Sequence, residues 1–239
     1  MQNIFSRALL NKFTLLLFSV AAISLTSCKD DDYVAPEPVP VTYVSFYQGS
    51  PDAPDLDIQL DNKVINNSGF KYAGYSGYLT LSPGEHQIKY TPVSGANAFV
   101  DSTLTFKEDK AYSLFTVNRQ QNMELLVLQD SIITPASGKA ALRIVNLSPD
   151  APAVDVSTSG ATATSLASAV NFKGATQFQE LASGRYTLQI KAAGTNDVLL
   201  TATDVQLTEG KTYSLLIRGF ATPPAGNTNG LTVQVINNY

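Results

Sequence analysis

The chain has 239 residues, of which 44% are hydrophobic and only 15% are charged, and its formal net charge is −4. The low charged fraction excludes a charge-rich disordered chain, and the acidic balance disfavours nucleic acid as a partner. One cysteine and one histidine exclude a zinc cluster of Cys and His ligands and any disulfide within the chain. We expect no cofactor.

The first element in chain order is a secretory signal. Arg7 and Lys12 are the only charged residues before Cys28, and an apolar run from Phe13 to Leu25 follows them. This run is shorter than the ~20 apolar residues that a membrane-spanning helix needs. A basic start, a short apolar stretch and small residues before a cleavage point are typical of a signal peptide, here residues 1–27.

The cleavage region, Leu25-Thr26-Ser27-Cys28, resembles the lipobox of bacterial lipoproteins, in which cleavage precedes the cysteine and its thiol is acylated. The resemblance implies lipidation of Cys28 and attachment to a membrane through the lipid anchor. The alternative is an ordinary signal peptide with a chance cysteine. Without residues 1–27 the chain keeps 14 basic and 20 acidic groups, and its net charge becomes −6.

An acidic and Pro-rich segment, residues 28–40, follows the cleavage point. Its start, Lys29-Asp30-Asp31-Asp32, resembles the export signal of surface lipoproteins in Bacteroidota-type bacteria. That resemblance implies an outer-membrane protein that faces the cell exterior. A periplasm-facing anchor and a simple solvated acidic run are the alternatives. The prolines at the end of the segment favour an extended tether.

Two copies of one unit follow this tether. The motif Ser50-Pro51-Asp52-Ala53-Pro54 recurs 98 residues later as Ser148-Pro149-Asp150-Ala151-Pro152. Leu81-Ser82-Pro83-Gly84 recurs 100 residues later as Leu181-Ala182-Ser183-Gly184. Such regular spacing indicates a tandem duplication. We place the copies at residues 41–130 and 140–239, with a linker at residues 131–139.

The pattern within each copy is typical of β-strands. Residues 41–46, 86–90, 186–190 and 231–235 alternate between apolar and polar side chains, and turn signals separate such runs. The Thr-rich stretch 161–170 favours a strand or loop over a short helix. The sequence therefore predicts an all-β fold with two tandem immunoglobulin-like β-sandwich domains.

The second copy carries a family resemblance. Residues 143–156 read RIVNLSPDAPAVDV, and LASGRYTLQI and YSLL follow further on. These segments resemble the bacterial family called domain of unknown function 4397, to which the first copy is a more divergent match. The resemblance implies extracellular or envelope β-domains that are often duplicated and often lipoproteins. It implies no catalytic residue and no ligand.

Three carboxylates lie close together at Asp52, Asp55 and Asp57, and the second copy repeats part of the group. Oxygen-rich loops bind Ca²⁺, so this group is a weak calcium candidate. An Asp after Pro in a turn also accepts backbone N–H groups, and we expect this structural role and no metal. A glycosidase acid/base pair is a weaker alternative.

His86 is the only histidine, and Tyr186 takes its place in the second copy. A position that accepts either ring favours packing on a strand face. A Ser-His-Asp site would also need a nucleophile and an oxyanion hole, and the sequence has no G-x-S-x-G motif. We therefore expect no catalytic residue and no enzymatic activity.

Three aromatic residues are candidates for a binding role. Tyr47 and Tyr75 correspond to aliphatic residues in the second copy, and Phe220 begins a loop, residues 220–230, that is longer than its counterpart in the first copy. Exposed tyrosines give a large contact area with a polar tip. Tyr78, in contrast, corresponds to another aromatic ring and is predicted to lie in the core.

Two serines, Ser102 and Ser131, follow an aspartate and resemble the O-glycosylation motif of Bacteroidota envelope proteins. The complete sequence predicts a non-enzymatic lipoprotein of the cell envelope that binds a glycan or an envelope protein at the cell surface. The alternative is a structural spacer without a specific ligand, which burial of Tyr47, Tyr75 and Phe220 would favour.

Overall fold

The structure is a computed structural model that describes residues 38–131 and 133–239. The predicted signal peptide, the predicted lipidation site Cys28 and the predicted export signal Lys29–Asp32 lie outside the described residues. From Val39 onward the chain forms one compact unit. Within the described ranges, no helix has the length and apolar character needed to cross a membrane.

The first half of this unit is a sandwich of two four-stranded sheets. Its strands are β1 (Thr42–Gln48), β2 (Leu56–Leu60), β3 (Lys63–Val64), β4 (Tyr75–Leu81), β5 (Gly84–Pro92), β6 (Val100–Phe106), β7 (Ala111–Val117) and β8 (Glu124–Asp130). Sheet A has the order β4-β1-β7-β8, and sheet B has the order β3-β2-β5-β6. A short 3₁₀ helix at Gln120–Asn122 precedes β8.

The second half repeats this arrangement. Its strands are β9 (Lys139–Asn146), β10 (Val154–Thr158), β11 (Ser165–Val170), β12 (Gln179–Ala182), β13 (Gly184–Ala192), β14 (Val198–Leu207), β15 (Thr212–Arg218) and β16 (Thr232–Asn237). Sheet C has the order β12-β9-β15-β16, and sheet D has the order β11-β10-β13-β14. The Thr-rich stretch 161–170 contains β11 and no helix, as predicted.

The topology of the two halves matches strand for strand. In each half the first strand pairs in parallel with the seventh, β1 with β7 and β9 with β15, and the remaining pairs are antiparallel. The predicted fold class, all-β with two tandem sandwich domains, is confirmed.

Each sandwich has its own apolar core, built from the inward-facing residues of its two sheets. In the first half this core includes Val44 and Phe46 of sheet A and Ile58 and Tyr90 of sheet B. The second core contains the residues at matching positions, such as Leu142, Ile144 and Val156. Burial of alternate residues explains the period-two pattern of the outer strands.

The inner strands depart from that alternation because the two sandwiches pack against each other through sheets A and C. Every residue of β7 is buried, and so is every residue of β1 except Tyr43. The same holds for β9 and β15, apart from residues near their ends. Strands covered on both faces have nearly continuous apolar sequences. The molecule is therefore a stack of four sheets in the order B, A, C, D.

Candidate functional site

The two copies are joined by a third apolar cluster, which we call the interface cluster. It consists of Tyr47, Phe115 and Val117 from sheet A and Val145, Leu147, Leu216 and Ile236 from the second copy. Tyr47 also donates a hydrogen bond across the interface to Gln234 Oε1 at 2.9 Å. This cluster buries the outer faces of both inner sheets and so fixes one copy against the other.

A buried polar network lies beside the interface cluster. Arg143 on β9 is 3% exposed, and its guanidinium forms an ion pair with the carboxylate of Asp130 at the end of β8. The guanidinium also donates to the Ser113 hydroxyl at 2.9 Å and to the Ser214 hydroxyl at 2.7 Å. Asp130 additionally accepts from Ser113 Oγ at 2.7 Å. Both charges are therefore paired and hydrogen-bonded, as burial requires.

Loops from the two copies close over one edge of the interface. Arg119, which precedes β8, places its guanidinium 4.6 Å from the centre of the Phe220 ring. From the second copy, the side-chain amides of Asn227 and Asn229 donate to the Pro51 carbonyl of the first copy at 3.1 and 2.6 Å. The long loop 220–230 is thus occupied by contacts with the first copy.

The prediction of exposed binding rings at Tyr47, Tyr75 and Phe220 is wrong. Tyr47 is 1% exposed and Phe220 is fully buried. Tyr75 is half-buried and packs against the interface cluster. A second sheet covers the outer face of sheet A at Tyr47 and Tyr75, and the Arg119 guanidinium lies over the ring of Phe220. The sequence of one copy alone does not reveal these contacts. Burial also raises the pKa of the Tyr47 and Tyr75 hydroxyls.

The Asp carboxylates of the two Ser-Pro-Asp-Ala-Pro motifs accept hydrogen bonds from distant loops. Asp52 accepts a hydrogen bond from the backbone N–H of Gln120 at 2.7 Å, and Asp150 accepts one from Ala221 at 2.7 Å. The turn chemistry predicts a local partner for Asp52, whereas the observed partner lies 68 residues away in a distant loop. In residues 38–131 and 133–239, no group of three or more His, Cys, Asp and Glu side chains is placed to hold a metal ion.

His86 takes part in a cluster that superficially matches a catalytic triad. Its Nδ1 lies 2.7 Å from Asp61 Oδ2, and its Nε2 lies 2.9 Å from the backbone oxygen of Ser82 and 3.5 Å from the Ser82 hydroxyl. Burial lowers the pKa of His86, but the hydrogen bonds to Asp61 and Ser82 outweigh this and raise it overall. Because the backbone oxygen of Ser82 only accepts hydrogen bonds, Nε2 donates to it and is not placed to accept the serine proton. The cluster fastens the β2–β3 turn to the β4–β5 turn.

One aromatic surface remains open to solvent, and we call it the tyrosine pocket. Its lining consists of Tyr43, Tyr78, Ala111 and Tyr239, and its volume is about 300 Å³. Tyr78 was predicted to lie in the core, but it is half-buried at the junction of the two copies. Sequence reasoning missed Tyr43, although it meets the same condition that selected Tyr47: the second copy has Ala141 in its place.

A second, more polar cleft lies between β8 and the segment that precedes β12. Its volume is about 240 Å³, and its lining includes Gln129, Arg143, Gln177 and Phe178. The guanidinium of Arg143 lies 4.7 Å from the centre of the Phe178 ring. The face of this ring is therefore already occupied by the protein's own cation.

The two serines predicted as glycosylation sites differ in their surroundings. Ser131 is exposed, and its backbone oxygen accepts a hydrogen bond from the Tyr239 hydroxyl. Ser102 is half-buried within β6. Modification at either serine stays a prediction.

Comparisons with known proteins give one family and several distant folds. No curated protein matches the chain. Among solved structures, the chain is similar to the Bacillus anthracis TIE protein with 12% identity and a TM-score of 0.25, and it covers 76% of this chain but 34% of that one. The chain therefore spans about a third of the length of that protein.

Two further solved structures are similar over most of both chains. One is a streptococcal virulence factor described as binding alpha-glucan, with 10% identity, a TM-score of 0.24 and coverage of 73% of this chain and 92% of that one. The other is the family 26 carbohydrate-binding module of Eubacterium rectale Amy13K in complex with maltoheptaose, with 13% identity, a TM-score of 0.26 and coverage of 83% and 97%. At these TM-scores, the similarities carry no inference about what this chain binds.

The family match is far more extensive. The sequence model described as "Domain of unknown function (DUF4397)" matches residues 42–157 and again residues 159–238. The two segments account for most of the chain and agree with a tandem duplication. The chain therefore belongs to the DUF4397 family and carries two copies of its domain.

Proposed function

We propose that this protein is a non-catalytic structural module of the cell envelope. In this proposal a lipid on Cys28 anchors the chain in the outer membrane, the Pro-rich tether leads away from it, and the double sandwich faces the cell exterior as one rigid spacer. The observation that carries the proposal is the interface between the copies. It combines the interface cluster with the buried pair of Arg143 and Asp130.

Rigidity follows from the nature of this interface. Domains that move relative to one another meet through small, polar surfaces, whereas large apolar contacts hold them in one arrangement. Here the inner strands are buried on both faces, as in a continuous core. The loops 118–122 and 220–230 add contacts at the edge, including the stacked pair of Arg119 and Phe220. Such a body keeps its length when it separates two surfaces.

The hydrogen bonds of two groups of residues support the absence of catalysis in this proposal. The first group is the pair of motif aspartates, and the second is the cluster around His86. Asp52 and Asp150 are engaged by backbone N–H groups. His86 Nε2 faces the backbone oxygen of Ser82, which only accepts hydrogen bonds, so this nitrogen has no lone pair directed at the Ser82 hydroxyl. The rings of Tyr47, Tyr75 and Phe220, which are the candidates for ligand contact in the sequence, lie where the two copies meet. Their position favours the spacer over a binding role at those residues.

One experiment tests the anchor, the orientation and the rigidity together. A recognition sequence for a site-specific protease is inserted between Ala136 and Ser137, which are both exposed. The protease is then added to intact cells. We expect cleavage, and we expect both halves to remain in the membrane fraction until denaturant separates them. In this proposal the lipid anchor belongs to the first half, so retention of the second half reports the interface between the copies.

The same cells provide the contrary outcomes. Release of the second half without denaturant would show that the copies do not form one rigid body. Protection of the site in intact cells would place the domains on the periplasmic side. With Cys28→Ala as the matched control, both halves should move together to the soluble fraction. Their retention would contradict the lipid anchor.

A further inference from the structure

Tyr43 has an unusual surface position. Within residues 38–131 and 133–239 it is the only aromatic side chain in the exposed class, with 37% of its area accessible. It lies on the outer face of β1, in the row of residues that extends beyond the interface cluster. The buried interface therefore continues into the tyrosine pocket, where the covering sheet ends.

The other two rings of the pocket are held in fixed positions by hydrogen bonds. The Tyr78 hydroxyl donates to Asp130 Oδ2 at 2.5 Å and accepts from Asn238 Nδ2 at 3.2 Å. The Tyr239 hydroxyl donates to the backbone oxygen of Ser131. Both hydroxyls are thus engaged by protein groups, and the pocket wall is mainly apolar. The centres of the two rings lie 6.0 Å apart with an angle of 49° between their planes.

The lining determines which ligands are suitable. None of the four lining side chains carries a charge at neutral pH, and the chain as a whole is acidic. An anionic ligand would find no cationic side chain in the wall, and a cation would find no side-chain carboxylate there. Thr80 is exposed and pairs with Tyr43 across β1 and β4, so its side chain, which carries a hydroxyl, lies beside Tyr43 on the same face of the sheet. An apolar wall with a hydroxyl at its edge suits a neutral ligand with one apolar face and polar edges.

The size of the tyrosine pocket further limits the class of ligand that it can bind. Four residues enclose about 300 Å³, which is at the small end of ligand sites. An extended peptide needs a long groove or a free strand edge along which its backbone can bind. A compact pocket with ring faces instead accommodates a single ring. We propose that the tyrosine pocket binds one neutral sugar ring of a glycan, stacked on Tyr43 and enclosed by Tyr78 and Tyr239.

The second copy does not repeat this site. Its counterpart of Tyr43 is Ala141, which is fully buried, and the ring of Phe178, its counterpart of Tyr78, is covered by the guanidinium of Arg143. The chain should therefore bind with a stoichiometry of one. This binding goes beyond the spacer role and does not depend on the anchor, since the pocket lies entirely within the double sandwich.

The test uses the chain without its signal peptide and with Cys28→Ser. Its probes are neutral hexasaccharides of glucose, mannose and xylose, with hexagalacturonate as the anionic comparison. Binding is followed by calorimetry and by saturation transfer from the protein to the sugar protons. We expect one neutral saccharide or more to bind with a stoichiometry of one at concentrations up to roughly 10 mM. Tyr43→Ala should weaken that binding by about tenfold, the loss typical of a stacked ring.

Two variants keep this test decisive. Tyr43→Phe should bind like the original chain because it keeps the ring. Val198→Ala removes an exposed apolar side chain on β14 of the second copy and should also leave binding unchanged. Because alanine already stands at the equivalent of Tyr43 in the second copy, Tyr43→Ala should fold normally, which circular dichroism verifies. Failure of every neutral saccharide to bind, or equal affinity of Tyr43→Ala, would overturn the proposal. Tighter binding of hexagalacturonate, or of a proline-rich peptide, would do the same.

Discussion

The two copies share every strand but differ at the positions where they meet. In sheet A, Ser45 and Ser113 lie side by side on β1 and β7. At the matching positions of sheet C stand Arg143 and Ser214. Asp130, which ends β8, corresponds to Asn238, which follows β16. One copy thus supplies the buried anion and the other the buried cation.

This difference resembles a symmetric dimer whose two identical surfaces have become specialised. In a two-fold dimer each contact occurs twice, because both subunits contribute the same surface. Here the ion pair occurs once, and two identical copies could not form it. Two first copies would bring together two buried aspartates, and two second copies would bring together two arginines. The halves of this chain are therefore complementary rather than interchangeable.

The largest expected effect comes from making the second copy resemble the first at this position. Arg143→Ser leaves the Asp130 carboxylate buried with only hydroxyl partners. An uncompensated buried charge costs about 3–5 kcal/mol, so we expect the free energy of unfolding to fall by that amount. Urea denaturation followed by circular dichroism measures the change.

The reciprocal change should restore part of this loss. Asp130→Asn, which introduces the residue of the second copy, removes the unpaired charge. The double variant should therefore be more stable than Arg143→Ser alone. The matched control is Arg185→Ser, since Arg185 forms an exposed ion pair with Asp204 at 3.0 Å and should contribute at most about 1 kcal/mol. Equal effects of Arg143→Ser and Arg185→Ser would show that the interface does not depend on the buried pair.

The sequence allowed prediction of the fold but not of the interface, for physical reasons. Alternation and turn residues are local signals, and they identified the strands and the duplication. What covers a strand's second face is not local: the run Ala111–Val117 has the composition of any strand buried on both sides. A usable signal was present at Arg143, a charge within an otherwise apolar strand, because such a charge needs a buried partner. That partner is Asp130, the last residue of the first copy. Nothing in the local sequence pattern connects Asp130 with Arg143.

A second comparison concerns His86 and Tyr186, which occupy equivalent positions and make equivalent bonds. The Tyr186 hydroxyl donates to the Ala182 oxygen at 2.6 Å, as His86 Nε2 does to the Ser82 oxygen at 2.9 Å. Histidine is the side chain whose ordinary pKa, about 6.5, lies closest to neutral pH. The hydrogen bonds that His86 donates raise its pKa in the folded state, despite burial. The His86 contribution is therefore complete below the unfolded pKa of about 6.5 and is lost as the pH rises through the folded pKa.

We expect His86→Tyr to remove this pH dependence. The pKa of Asp61 is lowered by its hydrogen bond from His86, so the pair contributes most between about pH 4 and pH 6.5. The loss above that range should be below about 1 kcal/mol, because the Asp61 side chain is half exposed. Unfolding in urea between pH 5 and pH 9 measures it. Since His86 is the only histidine, an unchanged slope in the variant would assign the dependence to other groups.

The smallest effect is expected for the exposed ion pair that also joins the copies. Lys173 Nζ lies 2.7 Å from Glu124 Oε2, and the two side chains are 40% and 46% exposed. Hydrogen bonds from Lys173 and Asn118 lower the pKa of Glu124. Water and salt screen such a pair, and its coupling energy should be about 0.5 kcal/mol or less.

A double-mutant cycle with Lys173→Met and Glu124→Gln tests this expectation at low salt and at about 1 M salt. The coupling should be measurable at low salt and vanish at high salt, whereas the loss in Arg143→Ser should hardly change with salt. A coupling energy above about 1 kcal/mol that persists at high salt would mean that the edge of the interface excludes water and salt as well as its centre does. Charge recognition between the copies would then be spread over the whole interface instead of being concentrated at Arg143 and Asp130.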